Sequence, residues 1–376
     1  MFDPYVYLAY LYVVLRLIVP LPFMRLVRFA MALALLAICK HHLIQQWVFG
    51  TMFSPEIPRA FVIGLGVLYC AFVLVFLICV AVDLVLLLVR VVRSGRQFGD
   101  RTVKRIRIAV VLAGLLLSGA GVHNAIQVPE VRRVELAIRD LPPGLSGFRL
   151  VQLSDLHISR LMHAPWVEQV VARTNALQAD LIVISGDLID GTTAARSDDV
   201  QPLAGLRARH GVIASLGNHE YYFDAARWSA AFEELGLTVL ANQHAVLGHA
   251  GSRLIIAGVT DPVAERYGMA GPDTGRALDG APAAGATILL SHQPIDVRRN
   301  ARLGVDLQLS GHTHGGMVRG IDLLVAREND GFVSGLYQAG AMRLYVSNGT
   351  GLWNGFPIRL GVPPEITEFI LRPAAG

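Results

Sequence analysis

Cysteine is nearly absent from this chain. Its three cysteines, Cys39, Cys70 and Cys79, all stand in apolar segments, and none follows. Everything after residue 79 therefore has no disulfide to stabilise it and no thiolate to offer a metal. Acidic residues are scarce in one region only: residues 1–127 hold four Asp and Glu against twelve Lys and Arg, and the remainder holds 25 acidic against 21 basic. A mildly acidic second part argues against a nucleic-acid partner. Charge is low overall, 16% of residues against 53% hydrophobic, too apolar for a wholly soluble protein. No pattern of basic start and Ala-x-Ala site opens the chain, so the apolar part is expected to remain attached. Repeats are lacking, and the Ala/Gly/Pro-rich stretch from Pro262 to Ala286 is the nearest approach to low complexity.

What the first part does contain is long apolar runs. Ala60 to Val89 and Ile106 to Val122 are each long enough to span a bilayer. Tyr5 to Val19 and Phe29 to Cys39 are shorter, are separated by Pro20 and Pro22, and have Arg16, Arg25 and Arg28 near their ends. Arginines so placed can snorkel to the interface, so two further spans are expected, about four in all. Between the third and fourth lie Arg90, Arg93, Arg96, Arg101, Lys104, Arg105 and Arg107 against a single acid, Asp100. The excess of basic residues predicts that this loop is cytoplasmic and that the rest of the chain lies outside the cytoplasm. The expected organisation is a membrane domain over 1–127, a linker over 128–147 and a catalytic domain over 148–376. Within the linker, Val131 to Ile138 alternates like a strand.

The chemistry centres on Ser310-Gly311-His312-Thr313-His314-Gly315-Gly316, which follows the strand-like run Val305 to Leu309. Histidines at i and i+2, fenced by glycines, can converge on something small, and neutral imidazole suits divalent metals. Alone, His-x-His is weak evidence. Four earlier strand-like runs strengthen it, since each ends in ligand-type residues: Phe148–Leu153 before Asp155 and His157, Asp180–Ile184 before Asp187, Val212–Leu216 before Asn218 and His219, and Thr287–Leu290 before His292. In layered α/β folds, sites assemble where such strand ends meet. The candidate metal ligands are thus Asp155, His157, Asp187, Asn218, His292, His312 and His314. Imidazoles with two carboxylates and one amide suit Mn, Fe or Zn better than calcium. Seven ligands exceed the needs of one ion; with one carboxylate bridging, two divalent ions would sit about 3.5–4 Å apart and act on a phosphoryl group through a metal-bound hydroxide. His219 directly follows Asn218, so it projects differently and is the candidate proton donor.

The order Asp-x-His, Gly-Asp, Gly-Asn-His-Glu, His, Gly-His-x-His resembles the calcineurin-like metallophosphoesterases. The Gly-Asp-Leu-Ile-Asp and Gly-His-Thr-His-Gly-Gly wording, with N-terminal apolar runs, is most similar to the YkuE-like branch of transmembrane proteins with a metallophosphoesterase domain. The likeness covers residues 148–372. It implies an α/β fold, a four-layer α-β-β-α sandwich, preceded here by the helical membrane domain. It also implies that Asp155, His157, Asp187 and His314 hold one metal, and that Asp187, Asn218, His292 and His312 hold the second. His219 would face the phosphate. Glu220 stands where many relatives have Asp, and Met317 where this branch is expected to have Gln.

Other residues have weaker readings. Asp190, three after Asp187, reads as a support for a neighbouring residue rather than a substrate contact. Tyr221 and Tyr222 could stack on a substrate or simply pack, and Arg359 could meet a phosphate or a structural acid. Asp83 reads as interfacial. The expected function is a multi-pass protein of the bacterial inner membrane that hydrolyses a phosphodiester or a lipid-linked phosphate and contacts membrane lipids. The alternatives are a sensor domain that binds metal or phospholigand without turnover, a lipid pyrophosphate hydrolase, and an accessory domain to a transporting bundle.

Overall fold

The computed structural model describes residues 3–92 and 99–374; Arg93 and Arg96 of the basic stretch lie outside the described residues. The chain divides into two compact units, one of Met1–Asn124 with Asn354–Leu360, the other of Ala125–Trp353 with Gly361–Gly376.

The first unit holds helices α1 (Asp3–Val13, continued by a wider turn over Val14–Ile18), α2 (Arg25–Cys39), α3 (His41–Phe49), α4 (Arg59–Val92) and α5 (Asp100–Ala125). Without a proline to interrupt it, the central apolar run continues as α4 for 34 residues, roughly 50 Å at 1.5 Å per residue and well beyond a hydrocarbon core of about 30 Å. Both α4 and α5 are long and apolar enough to cross a membrane. Of the four spans expected, these two helices qualify by length and composition among the described residues, or three if the bent pair that precedes them is counted as one. Helix α2 has 15 residues, roughly 22 Å, and meets α3 at a 60° bend where Lys40 interrupts the apolar run. The pair is at most a broken span, and the Pro4–Ile18 helix is shorter than a span. Part of the predicted basic loop is helical, since Arg101, Lys104, Arg105 and Arg107 occupy the first two turns of α5. Arg16 has a partner inside the unit: its Nε lies 2.7 Å from the Asp83 carboxylate, which Tyr12 also engages. Asp83 is therefore an ion-pair partner within the bundle. The segment Asn354–Leu360, expected in the catalytic domain, packs instead with this unit. Its Pro357 and Ile358 rest where Gly66 and Gly121 lack side chains, and Arg359 N donates to Gly121 O at 2.9 Å.

The second unit is built on two sheets. Its strands are β1 (Glu130–Ile138), β2 (Arg149–Leu153), β3 (Leu181–Ser185), β4 (Val212–Ser215), β5 (Thr238–Leu240) and β6 (Gln243–His249). They continue as β7 (Ser252–Gly258), β8 (Ala286–Leu290), β9 (Leu307–Ser310), β10 (Gly335–Ala339), β11 (Met342–Val346) and β12 (Glu365–Pro373). One sheet runs β1-β12-β2-β3-β4-β5, the other β10-β11-β9-β8-β7-β6. Strands β2 to β5 are mutually parallel, as are β7, β8, β9 and β11. Leu150, Leu181, Val183 and Ile213 of one sheet and Ile256, Ile288, Leu307 and Leu309 of the other share one buried core. The opposite faces are also covered: Trp166, Val167 and Val170 of the helix Ala164–Asn175 are buried, and Val297 packs with Leu289, Leu344 and Val346 of the second sheet. Strands buried on both faces read as continuous apolar runs, which is why Leu-Ile-Val-Ile of β3 lacks alternation.

The stretch expected as a linker contributes β1, which pairs in parallel with β12 along its full length. Arg132 and Arg133 reach Glu365 and Glu368 at 3.0 and 2.8 Å. The long Pro262–Ala286 connection holds a 3-10 turn over Pro262–Tyr267 and a short helix over Thr274–Ala277, capped by Asp261 and Asp273.

Candidate metal centre

Every residue singled out as a ligand follows a strand. Asp155 and His157 follow β2, Asp187 follows β3, Asn218 opens a short helix after β4, His292 follows β8, and His312 and His314 follow β9. The two sheets are tied together at these ends. Gln152 Nε2 donates to Ser185 Oγ and to Ser310 O, at 2.8 and 3.2 Å, and His312 N donates to Asp155 Oδ1 at 3.0 Å. Asp155, His157, Asp187, His312 and His314 all have φ between +45° and +67°, a region that side chains rarely adopt and that clusters at functional sites. Glycines open the space: a Cβ on Gly186 would lie 2.6 Å from His292 Nδ1, and one on Gly217 or Gly311 would overlap Asp187 or Asp155.

The side chains converge around one carboxylate oxygen. Asp187 Oδ2 lies 3.1 Å from His292 Nε2, 3.6 Å from His157 Nε2 and 3.9 Å from His219 Nε2. His314 Nε2 lies 3.2 Å from His157 Nε2 and 3.6 Å from Asp155 Oδ1. Asn218 Oδ1 lies 3.0 Å from His312 Nδ1, and its amide nitrogen donates to Tyr222 Oη at 3.3 Å.

The hydrogen bonds around the rim decide which nitrogens face inward. A carbonyl can only accept, so His292 Nδ1, 2.8 Å from Ser185 O, carries a proton. Nε2 is then the nitrogen turned toward Asp187 Oδ2, 3.1 Å away, and it would offer a lone pair there once a cation displaced its proton. Asp190 performs the same service for His219. Its Oδ1 accepts from His219 Nδ1, which turns the His219 Nε2 inward; its Oδ2 lies 3.3 Å from His157 Nδ1, an ion-pair approach in which neither atom has a hydrogen-bond partner. Inward-facing lone pairs on nitrogens and carboxylate oxygens, buried together, are the donor set of a cation site. Three groups lie within ligand reach of one another: Asp155 with His157 and His314, His157 with Asp187 and His219, and Asp187 with His292 and His312. The residues present fit divalent metal.

Protonation in the cluster shows the same demand for positive charge. Burial alone would raise Asp187, but His292 and then His219 hold it well below the usual carboxylate range. Burial likewise opposes the charge on His292, yet Asp187 keeps its pKa well above the ordinary value. His219 rises to about 9 against its burial, through Asp187 and Asp190. His312 is pushed down to about 3 by burial and by the neighbouring His292.

The structure gives the remaining predicted residues different places. Glu220 is buried and its carboxylate accepts from the backbone nitrogens of Asp187, Leu188, Ile189 and Gly217 at 3.1, 2.7, 3.2 and 2.7 Å. Tyr221 is buried, whereas the Tyr222 ring lies 5.2 Å from that of His219 and 6.4 Å from that of Tyr267. Arg359 belongs to the segment packed with the first unit. One residue was missed. Asp261 follows β7 as the other acids follow their strands; it is buried and accepts from Gln293 Nε2, beside His292, at 3.0 Å.

The profile of the calcineurin-like phosphoesterases matches residues 148–316. A "Transmembrane protein with metallophosphoesterase domain" from Bos taurus is 37% identical over 75% of this chain and 67% of its own length. Its namesake from Danio rerio is 33% identical over 71% of this chain and 63% of its own length. The Bacillus subtilis (strain 168) protein "Uncharacterized metallophosphoesterase YkuE" is 32% identical over 69% of this chain and 93% of its own. The aligned part thus spans about two thirds of the two vertebrate relatives. Inward-facing imidazoles and carboxylates at five strand ends, within a sequence matched over these same blocks, place this chain in the calcineurin-like metallophosphoesterases, a family of metal-dependent phosphoester hydrolases.

Proposed function

We propose that the chain is a membrane-anchored, two-metal phosphoesterase whose substrates include a lipid-linked phosphoester. The observation that carries the two-metal reading is the position of Asp187 Oδ2, within 3.1–3.9 Å of three imidazole nitrogens from separate loops. Asp155, His157 and His314 would hold one ion with Asp187, and Asn218, His292 and His312 the other. When bound, such ions supply charge that stabilises a phosphoryl oxygen and acidifies water. The side chains do the positioning. Asp190 orients His219 by accepting from its Nδ1 and sets a negative charge 3.3 Å from His157 Nδ1. His219, whose Nε2 is the farthest of the three from Asp187, holds a proton there for the leaving oxygen. Glu220 fixes the backbone that carries Asp187 and Asn218. Retention of His219 beside a complete ligand set favours hydrolysis over a binding-only sensor, which needs no proton donor.

Location supports the substrate class. Four residues separate the end of α5 from β1, and this tether is itself held: Trp166 Nε1 donates to Gln127 O and Arg173 Nη1 to Pro129 O, at 3.1 and 2.8 Å. A tether this short gives the catalytic domain a high effective concentration of membrane-borne phosphates. The basic residues at 90–107 favour an extracytoplasmic catalytic domain in the bacterial inner membrane. Metal-loaded protein in vesicles is expected to hydrolyse a bilayer-embedded phosphoester faster than a soluble ester of the same headgroup. Equal rates on both would remove the lipid-linked substrate, and no turnover of either would favour the sensor.

A further inference from the structure

A cavity of about 1010 Å³ opens among the helices of the first unit. Helix α5 lines it with Lys104, Arg107, Ile108, Val111, Leu112 and Leu115. Their spacing of three, one, three, one and three residues puts all six on one helix face. Opposite stand Leu17 and Ile18, Leu35 and Ile38 of α2, and Phe72 and Val75 of α4. The cavity is therefore hydrocarbon along its body and cationic at one end. From Lys104 to Leu115 the helix rises about 16 Å, close to half of a hydrocarbon core of about 30 Å, the depth of one leaflet. Arg107 lies within electrostatic reach of Asp83 but forms no ion pair with it among the described residues. Asp83 is engaged by Arg16 and Tyr12. Asp100, the one acid lining the cavity, forms no ion pair with Lys104 or Arg107 among the described residues.

We propose that this groove holds one anionic phospholipid, its acyl chains along the α5 stripe and its phosphate headgroup on Lys104 and Arg107. Basic pockets between membrane helices recognise such headgroups by charge, while the depth of the groove matches the chains. A zwitterionic lipid offers the same chains but sets an amine against the two cations. On the orientation proposed above, this lipid sits in the cytoplasmic leaflet and is a resident ligand, distinct from the substrate of the metal centre.

The test uses the full-length protein in detergent, with native mass spectrometry and thermal melting. Phosphatidylglycerol and phosphatidylcholine of identical chains are added separately, with glycerol phosphate as the headgroup without chains. The wild type is expected to retain phosphatidylglycerol in preference by about 30-fold, the effect of two basic side chains at an anionic surface. It should melt higher with that lipid and not shift with glycerol phosphate. The Lys104→Gln/Arg107→Gln variant should lose the preference, and Leu112→Trp, which fills the groove, should lose bound lipid of both kinds. Equal retention of the two lipids by the wild type would overturn the proposal, and that comparison needs no variant. A preference kept by the double variant, or a glycerol phosphate shift equal to that of phosphatidylglycerol, would overturn it as well.

Discussion

Glu220→Gln isolates the residue on which two loops of the metal centre rest. One oxygen of Glu220 accepts from Leu188 N and Ile189 N, the other from Gly217 N and Asp187 N. Glutamine fills the same space but keeps one acceptor, so two of these buried N–H groups would face an NH₂ and lose their partner. Each buried unsatisfied donor costs about 1–3 kcal/mol, so the substitution should cost about 4 kcal/mol, a large share of a typical domain stability of about 5–15 kcal/mol. For a domain of this size that is a fall in Tm of roughly 8–16 °C. Because Asp187 and Asn218 hang from the same backbone, metal content should fall with it. Near-UV circular dichroism of the full-length protein in detergent reads the first effect and elemental analysis the second. A Glu220→Gln protein that melts within about 2 °C of the wild type would refute the backbone-clamp role, because no arrangement of one amide can satisfy four donors.

His219→Ala should retain its metals while kcat falls by about 10²–10⁴-fold. The loss should shrink for substrates whose leaving group needs no proton, such as a nitrophenyl ester; an equal loss for good and poor leaving groups would make His219 a phosphate-positioning residue. Gly311→Ala should destabilise by about 1–3 kcal/mol and lower metal content, since the added Cβ overlaps Asp155 and Ser154. Unchanged melting and metal content would show that the His312 loop has slack that the structure does not suggest.

The convergence of the candidate ligands was legible because each stands at the end of an apolar strand beside a small residue, a local signal that needs no tertiary information. Strands β5, β6 and β10 were not. Strand β5 has three residues, and β6 and β10 are edge strands that expose Val246 and Leu336 as well as Gln243 and Gln338, which blurs the apolar pattern. The role of Glu220 could not be read either, since it joins loops separated by about thirty residues; Asp190 was read as a supporting residue, but not that it supports His219. The bend at Lys40 was not legible, because composition reports apolarity and not helix direction. Arg359 was misplaced for a related reason: Gly66 and Gly121 admit Pro357 and Ile358, and a glycine in an apolar run does not announce what packs on it.

The central claim is that Asp187 bridges two metal ions, and metal stoichiometry tests it most directly. Elemental analysis of the full-length protein, purified without chelator and loaded with Mn, Fe or Zn, should find two ions per chain. Asp187→Asn should hold fewer than two and lose activity, because an amide replaces the charged oxygen that three imidazoles surround. Two ions fully retained by the Asp187→Asn protein would contradict the account.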